Sequence, residues 1–323
     1  SRMRTILLKS FGSPMADKKI HCEKCERPAV YLDREREIHL CSDHLKESVE
    51  NEVRRYLITK RLPKTLGVAF SGGKDSTALL KVLSEFRSEL PSSIIALTVD
   101  EGIEGYRQDT IRAATETCLT LRIPHEIIRF QDLYGYSLDH LVSGSERNAC
   151  TICGILRRRA LEVLAQKHKI TMIATGHNQD DHAQTTVMNA ISGDVRKIFT
   201  GYGPSSWYAQ RIKPFARVSE KEVTLYALLS GLFKDLSECP YAVSSLRGEV
   251  RTLLYQYEQT HPGAMRNAAR CEEEIRERLG EIYQQEAYKT CSICGWPGSG
   301  TICQVCMVLG KDTHLQNPMT KEK

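Results

Sequence analysis

Short apolar runs alternate with longer segments of helical periodicity through the middle of the chain. The apolar runs predict β-strands at 66–70, 94–99, 125–130 and 171–175. The segments between and after them predict helices at 75–90, 106–121, 154–168 and 179–191. Strands separated by helices are typical of an α/β protein, a doubly wound parallel sheet with helices on both faces. Ligands of such a sheet bind beyond the carboxyl ends of the strands, near the point where the strand order reverses.

The segments on either side of this alternating core differ from it. An amphipathic connector helix is predicted at 45–59, and three more helices follow the core at 221–233, 245–259 and 265–284. Four arginines of the later helices are expected to be exposed: Arg247, Arg251, Arg266 and Arg270. The expected domains are 1–18, an expression remnant or a disordered stretch; 19–62, a metal-binding module with its connector; 63–218, the sheet domain; 219–286, a helical extension; and 287–323, a second metal-binding module with a tail.

The totals narrow the class of protein. The 323 residues suggest about two domains, and 41% apolar residues is ordinary for a soluble globular protein. No apolar run reaches the roughly 18 residues that a membrane-spanning helix needs, so no membrane association is expected. The net charge of +5 permits a nucleic-acid partner without requiring one. Basic residues cluster at 157–159, 196–197 and 211–217, where a solvated surface explains them as well as a phosphate backbone does.

The chain has twelve cysteines, and most of them lie in pairs separated by two residues. Without a signal peptide, this content indicates a reducing compartment, and the expected location is cytoplasmic. The spacing is that of metal ligands rather than of a disulfide framework.

The first candidate metal site consists of two pairs with about fifteen residues between them. Its ligands are Cys22, Cys25, Cys41 and His44, with short strands predicted at 31–32 and 38–40 between the pairs. His21 and His39 are rival ligands, but they break the two-residue spacing. A closed four-ligand zinc site is structural rather than catalytic. The alternative is cysteines packed as small apolar residues.

A second candidate metal site lies near the end of the chain. Two Cys-x-x-Cys pairs flank a glycine-rich loop and predict a zinc ribbon with the ligands Cys291, Cys294, Cys303 and Cys306. The tail after Gly310 is polar and is expected to fray.

A glycine turn follows the first predicted strand of the sheet, with the sequence Ser-Gly-Gly-Lys-Asp-Ser at 71–76. The glycines allow backbone N–H groups to converge, and the dipole of the following helix adds partial positive charge. The hydroxyls of Ser71, Ser76 and Thr77 and the cation of Lys74 complete an anion site. The spacing differs from that of the Gly-x4-Gly-Lys-Ser/Thr loop of ordinary NTPases.

Two other strand ends carry polar residues that we expect to lie near this turn. Asp100 ends the second strand, and the sequence Gly-His-Asn-Gln-Asp-Asp follows the fourth strand at 176–181. Gly176 permits close approach of a nucleotide. Asp181 has two interpretations: it caps the helix that it begins, or it orders ATP or its magnesium ion.

A third Cys-x-x-Cys pair, Cys150 and Cys153, lies near the start of a predicted helix. It is compatible with a redox dithiol, with half of a zinc site or with half of an iron–sulfur site. Cys239 is the best remaining partner, and three cysteines can hold three irons of a cubane while the fourth iron stays open. Cys118 and Cys271 lie inside helical patterns and are expected to be buried.

The hexad at 71–76 resembles the PP-loop of the HUP-like ATP pyrophosphatases, which split ATP between its α and β phosphates and adenylate a substrate. With the three cysteines and both zinc candidates, the chain resembles the archaeal and eukaryotic tRNA 2-thiouridine synthetases (the group of the TtuA and NcsA proteins) over about 19–309. The resemblance implies a PP-loop catalytic domain with an N-terminal zinc finger, a helical extension and a C-terminal zinc ribbon.

The resemblance also implies roles for individual residues. Two Zn²⁺ ions would occupy the two four-ligand groups, and Cys150, Cys153 and Cys239 would ligate a 4Fe-4S cluster. The implied ATP-binding residues are Ala69, Ser71, Gly72, Gly73, Lys74, Asp75, Ser76, Asp100, Arg157, Gly176 and Asp181, and the implied catalytic residues are Cys150, Cys239 and Lys74. Arg157 stands where relatives often carry lysine, which changes the geometry of its phosphate contact.

The implied reaction has two halves. ATP, with Mg²⁺, adenylates the C2 oxygen of a tRNA uridine, and sulfur then displaces AMP, either from hydrosulfide on the open iron of the cluster or from a persulfide on Cys150 or Cys239. The wobble uridine is the favoured target, and a T-loop uridine is the alternative. The expected partners are tRNA, a sulfur donor (sulfide or a ubiquitin-like sulfur carrier protein) and a second copy of the chain. The rival classes are a small-molecule PP-loop ligase or amidotransferase, and a zinc-ribbon RNA-binding protein with a degenerate nucleotide fold.

Overall fold

The computed structural model describes residues 20–90, 92–193, 208–232, 234, 238–241, 246–279, 289–298 and 300–310. The chain divides into two compact units, Ser1–Leu45 and Lys46–Lys323. The predicted stretch 1–18, the basic pair at 196–197 and the tail after Gly310 lie outside the described residues. No helix in the described part of the chain combines the length and the apolar character that crossing a membrane requires.

The first unit is built on a small antiparallel hairpin. The two short strands that the sequence predicts are present as β1 (Tyr31–Asp33) and β2 (Ile38–Leu40), and they pair with Tyr31 opposite Leu40. Asp33 is buried, but its Oδ1 accepts hydrogen bonds from the backbone N–H groups of Glu35 and Arg36, both at 3.1 Å, so its burial leaves no unpaired acceptor there. Helix α1 (Ser42–Ile58) begins after the hairpin.

The second unit is organised around five parallel strands: β3 (Thr65–Ala69), β4 (Ser93–Asp100), β5 (His125–Arg129), β6 (Met172–Ala174) and β7 (Gln210–Ile212). Their order is β5-β4-β3-β6-β7, so the winding reverses between β3 and β6. This arrangement confirms the predicted doubly wound sheet and places its switch point beside the hexad. Strand β7 was not predicted, because only Ile212 of its three residues is buried.

Helices α2 (Lys74–Glu85), α3 (Arg107–Leu121), α4 (Phe130–Tyr134), α5 (Leu138–Val142), α6 (Ala149–Lys167) and α7 (Gln179–Ile191) connect the strands. Helices α4 and α5 have five residues each, too few to give a periodic signal. Helix α6 begins five residues earlier than predicted because the Asn148 side chain accepts a hydrogen bond from the Cys150 N–H, which caps the helix there. The Cys-x-x-Cys pair therefore lies in the first turn of α6.

The described part of the extension contains the helices α8 (Glu220–Leu229), α9 (Leu246–Thr260) and α10 (Ala264–Leu279). The extension packs on α7 through an apolar cluster of Ala183, Val250, Leu254 and Met265. The prediction that α8 runs to 233 is wrong at its end, since Gly231 has a left-handed φ of 66° and terminates it. The predicted limits 233, 245 and 284 themselves lie outside the described residues.

Two side-chain predictions for the extension need correction. Cys118 is buried as predicted, but Cys271 is exposed, because α10 turns Glu272 rather than Cys271 toward α7. Arg251 and Arg270 are exposed as predicted, whereas Arg247 and Arg266 are half-buried.

The C-terminal ribbon consists of β8 (Lys289–Thr290), β9 (Pro297–Gly298) and helix α11 (Gln304–Leu309). Its four cysteines and Trp296 belong to the same buried cluster as Ile152 and Leu156 of α6. The ribbon is therefore packed on the helix that carries the third cysteine pair.

Candidate functional site

The hexad forms a tight turn between β3, which ends at Ala69, and α2, which begins at Lys74. Gly72 has a φ of 84°, and a Cβ at this position would lie 2.6 Å from the Thr110 carbonyl oxygen, so only glycine fits. The Ser71 and Ser76 hydroxyls lie 3.2 Å apart, and the Ser76 hydroxyl donates to the Gly73 carbonyl at 3.0 Å. The loop is thus shaped before any ligand binds.

The lysine of the hexad is engaged by acidic groups. Lys74 Nζ lies 2.8 Å from Asp75 Oδ1 and 3.0 Å from Glu220 Oε1, and Glu220 also pairs with Arg251. Burial opposes the charged form of Lys74, but the two carboxylates outweigh it and raise the pKa of the lysine. Sequence reasoning missed Glu220, which lies 146 positions from Lys74 in a helix assigned to the extension.

The loop after β6 touches the hexad directly. A Cβ on Gly176 would lie 3.0 Å from the Asp75 carbonyl group and from Ser76 N, so this glycine permits the two loops to meet at the switch point. Asn178 and Asp181 form a reciprocal capping box at the start of α7, with both hydrogen bonds at 3.1 Å. The capping interpretation of Asp181 is therefore correct, and its contact with ATP or magnesium stays a prediction.

The adjacent Asp180 is a further acidic group of this loop. Its Oδ2 accepts a hydrogen bond of 2.7 Å from the Glu220 N–H at the start of α8. Burial raises the pKa of Asp180 to about 6. Asp180 thus holds the start of the helix whose Glu220 carboxylate pairs with Lys74.

The strand end at β4 carries the predicted Asp100 and an unpredicted neighbour. Asp100 Oδ1 accepts from the Gly102 N–H at 2.9 Å, so the carboxylate shapes its own loop, and its contact with ATP stays a prediction. Glu101 is buried and lies 2.7 Å from the buried Arg107, which donates to the Ser71 carbonyl at 3.4 Å. The available signal in the sequence was a glutamate directly after a buried strand, where an unpaired charge is not tolerated.

The structure brings the three predicted cluster cysteines together. Cys150 is exposed, and its thiol donates at 3.4 Å to the carbonyl of Tyr241, two residues beyond Cys239. Cys153 and Cys239 are half-buried against one apolar cluster. Burial raises the pKa of Cys153 to about 11, and the Arg157 cation opposes this rise.

The cysteine triad (Cys150, Cys153 and Cys239) is arranged differently from the two predicted zinc sites. Among the residues that the structure describes, the groups with at least three metal-ligating atoms within 4.8 Å of one another are the two predicted zinc sites, and the triad is not one of them. Ligands of a cubane bind separate irons, so they lie farther apart than ligands of one ion. Two of the three thiols, Cys153 and Cys239, lie against the apolar cluster and Cys150 is exposed beside them, and their binding of a cluster stays a prediction.

The N-terminal group meets the geometric requirement for one metal ion. The ligating atoms of Cys22, Cys25, Cys41 and His44 lie within 4.8 Å of one another. His44 Nδ1 is 3.2 Å from Cys22 Sγ and 3.4 Å from Cys41 Sγ. The rival ligands are engaged elsewhere, since His21 hydrogen-bonds the Glu26 carbonyl and His39 faces Glu23.

The C-terminal group is fully buried and is held from α6. Its four sulfur atoms lie within 4.8 Å of one another. Arg159 donates to Cys303 Sγ at 3.5 Å and to Cys294 Sγ at 3.8 Å, and its guanidinium lies 4.1 Å from the centroid of the Trp296 ring. An arginine beside thiolates offsets their charge, so the ligand set is suited to a metal bound largely by sulfur.

Comparisons with known proteins agree with this geometry. A family model for the PP-loop domain matches residues 45–237. The tRNA 2-thiolation protein NcsA of Haloferax volcanii is 34% identical over 90% of this chain and 98% of its own length. The cytoplasmic tRNA 2-thiolation protein 1 of Xenopus laevis is 33% identical over 90% of this chain and 87% of its own length.

A solved structure is similar over most of its length. It is the U34-tRNA thiolase NcsA from Methanococcus maripaludis with its 4Fe-4S cluster, at a TM-score of 0.79 and 34% identity over 89% of this chain and 95% of that one. Full-length matches of this identity show common descent. The chain belongs to the PP-loop family of tRNA 2-thiolation proteins that includes NcsA and cytoplasmic tRNA 2-thiolation protein 1.

Proposed function

We propose that this chain is a tRNA sulfurtransferase that makes 2-thiouridine by adenylating the uridine C2 oxygen and replacing it with sulfur. One observation carries the proposal: the strand end at Glu101 contacts both Arg107, which holds the PP-loop, and Arg157, which lies one helical turn after Cys153. An ATP-activating loop and a sulfur-handling triad thus lie beside one strand end. A small-molecule PP-loop ligase needs no such triad, and a degenerate RNA-binding protein needs no intact PP-loop.

The adenylation half is assigned to the switch point. A uridine C2 oxygen is a poor leaving group. When it attacks the α-phosphate of ATP, pyrophosphate leaves and the oxygen becomes part of an adenylate, from which it can leave as AMP. Lys74 would leave Glu220 for the phosphates, and together with Arg157 and Mg²⁺ it would offset the charge that develops there. The backbone of 71–76 would bind the pyrophosphate, and Gly176 and Asp181 would border the nucleotide. Ala69 and Asp100 complete the proposed ATP site.

The sulfur half is assigned to the cysteine triad. Cys150, Cys153 and Cys239 would hold a 4Fe-4S cluster, and such a cluster would supply an iron able to bind sulfide. Cys150 is exposed and so is accessible to a substrate, whereas Cys153 is half-buried. The relative from Methanococcus maripaludis carries such a cluster. A persulfide on Cys150 or Cys239 is the second candidate, favoured by the exposure of Cys150. Its outer sulfur would come from a sulfane-sulfur donor and would displace AMP. The other of the two cysteines would then release the thiolated uridine by forming a Cys150–Cys239 disulfide, which an external thiol would reduce.

We assign the two four-ligand groups to structural Zn²⁺ ions. The sulfur-rich donor sets support zinc, and all four cysteines of the C-terminal group are buried. We also propose the domain division predicted from the sequence, because the two four-ligand groups mark the two modules on either side of the sheet domain at 63–218.

The wobble uridine is the proposed target, because the relative from Methanococcus maripaludis is a U34-tRNA thiolase. A T-loop uridine is the alternative target. The proposed partners are tRNA, sulfide or a ubiquitin-like sulfur carrier, and a second copy of the chain, and the proposed location is cytoplasmic, as the name of the Xenopus laevis relative states for that protein.

The test is iron content and thiolation in protein purified without oxygen. We expect about four irons per chain, tRNA-dependent pyrophosphate release, and 2-thiouridine at the wobble position by mass spectrometry of digested tRNA. Cys239→Ser should lose iron and thiolation together. Cys271→Ser is the matched control, since it removes an exposed cysteine of α10 and should change neither.

Two results would contradict parts of this proposal. Full thiolation by Cys239→Ser would exclude both the cluster and the persulfide route. Pyrophosphate release that depends on a small molecule rather than on tRNA would favour the ligase class.

A further inference from the structure

A buried carboxylate joins the two halves of the proposed site. The side chains of Glu101 and Arg107 are both 5% exposed, and Glu101 Oε2 lies 2.7 Å from Arg107 Nε. The other carboxylate oxygen of Glu101 lies 3.6 Å from an Arg157 Nη1 atom. A charge at this depth is tolerated only when it is paired, so Glu101 must keep at least one of these partners.

Arg107 ties this carboxylate to the PP-loop. Its guanidinium donates to the Ser71 carbonyl at 3.4 Å, to the Thr110 hydroxyl at 3.0 Å and to the Val99 carbonyl. The Arg107–Glu101 pair therefore has little freedom to move relative to the hexad.

Arg157 lies at the other end of the chain of contacts. Its side chain is 51% exposed, and its charge acts on Cys153 and Cys239. A long, half-exposed side chain samples many rotamers unless a partner fixes it, and the fixed partner here is Glu101.

The loop that carries Glu101 is itself held rigidly. The Glu101 carbonyl accepts a hydrogen bond of 2.7 Å from the Leu138 N–H at the start of α5. Gly102 has a φ of 70°, and a Cβ there would lie 2.9 Å from the Ser137 Cβ. The backbone that carries Glu101 is therefore fixed by this loop, and the Arg107 pair holds the carboxylate.

We infer that Glu101 is a positioning residue that holds the Arg157 cation between the PP-loop and the cysteine triad. The inference rests on the proposed function, since it assigns Arg157 to the phosphate charge that develops during adenylation. A cation that acts on charge formed in the transition state contributes to kcat more than to the affinity for ATP.

The test is a double-mutant cycle on kcat of tRNA thiolation, measured per folded enzyme. Glu101→Gln and Arg157→Ala should each lower kcat by about tenfold or more, and KM for ATP should change by less than about threefold. Because Glu101 acts through Arg157, kcat of the double variant should lie within about threefold of kcat of the less active single variant. Losses that multiply would overturn the inference.

Glu162→Gln is the matched control. Glu162 is another buried glutamate, 5% exposed, that pairs with Arg211 and accepts from the Ala209 N–H at 2.9 Å. Within the part of the chain that the structure describes, it hydrogen-bonds neither the PP-loop nor the cysteine triad. It should lose stability without losing kcat per folded enzyme. An equal loss of kcat in both variants would reduce Glu101 to a structural residue.

A second readout does not depend on activity. Phenylglyoxal labelling of Arg157, followed by peptide mass spectrometry, should rise about threefold in Glu101→Gln and stay constant in Glu162→Gln, because the guanidinium loses its carboxylate only in the first variant. Unchanged labelling of Arg157 in Glu101→Gln would overturn the inference, whether or not the wild-type enzyme is active. A wild-type enzyme that makes no 2-thiouridine would contradict only the proposed function. Should Glu101→Gln fail to fold, Glu101→Asp keeps the charge but withdraws it from the longer contact, and wild-type kcat and labelling in that variant would overturn the inference.

Discussion

The carboxylate of Glu220 is paired with Lys74, the cation of the PP-loop that we expect to bind the phosphates of ATP. Its Oε1 lies 3.0 Å from Lys74 Nζ and also pairs with Arg251. The side chains of Lys74 and Glu220 are 28% and 24% exposed, so the pair is shielded from water without being dry. A triphosphate must displace this carboxylate before it can reach the lysine, so we predict that Glu220→Gln binds ATP more tightly.

The size of the effect follows from the separation. At 3.0 Å and an effective dielectric constant of about 20, two unit charges attract by about 5.5 kcal/mol. Desolvation, partial exposure and the remaining Asp75 partner leave a net effect of about 1–2 kcal/mol. Since 1.4 kcal/mol corresponds to a tenfold change, Kd should fall by about 5- to 30-fold.

Isothermal titration calorimetry with a non-hydrolysable ATP analogue and Mg²⁺ measures this change directly. The control is Glu222→Gln, two positions along the same helix, which removes a capping carboxylate that accepts from the Ser219 N–H at 2.9 Å and should leave Kd within about twofold. Weaker binding by Glu220→Gln would refute the reasoning and would instead make Glu220 a group that helps to hold the metal–nucleotide complex.

Three further predictions concern other contacts. Gly176→Ala places a methyl group 3.0 Å from hexad backbone and should weaken ATP-analogue binding by about tenfold or more, whereas Gly300→Ala, with its nearest atom at 3.6 Å, should not. Arg159→Ala should lower the free energy of unfolding in urea by about 1–3 kcal/mol, because the variant lacks the contacts of the guanidinium with the Trp296 ring and with the sulfur atoms. Arg158→Ala, the control, should lower it by less than about 0.5 kcal/mol. Burial raises the pKa of Asp180 from 3.8 to about 6. The charged carboxylate therefore does not lower the free energy of unfolding below pH 3.8, where it is protonated in both states, and lowers it fully above pH 6. Asp180→Asn should therefore gain about 1–3 kcal/mol relative to wild type between pH 4 and pH 7, and a difference that stays flat with pH would contradict this cause.

The motifs that could be predicted from the sequence are those that act through neighbouring residues. The hexad combines a strand end, a glycine turn and a helix start within a dozen positions, and each part has a local signature. The two zinc groups follow from ligand spacing, and the sheet follows from the alternation of strands and helices. Even the ambiguity at Asp181 was local, since a capping residue and a ligand of the nucleotide occupy the same position of a helix.

The residues that were missed act through partners that are distant in sequence. Glu220 reaches Lys74 from a later helix, and Glu101 is a buried charge whose partners decide whether it is tolerated. Cys271 was misplaced because the periodicity of α10 suggests an apolar face, whereas the buried position is taken by Glu272, which accepts a hydrogen bond of 2.9 Å from Thr186. Arg211 was read as part of a basic surface, but it lies in edge strand β7 and pairs with Glu162.

The order of the strands has a consequence for the time at which the nucleotide site comes into existence. Strands β3 and β4 pair across a short connection, but the strand that completes the site, β6, pairs with β3 through Gly67 and Ile173, roughly a hundred residues apart. Contacts that close so long a loop form late in folding. A growing chain that has only β3 to β5 already contains the hexad but lacks Gly176 and its loop. ATP binding should therefore appear only after β6 has paired with β3. A folding intermediate that lacks this pairing would contain the hexad but would not bind ATP.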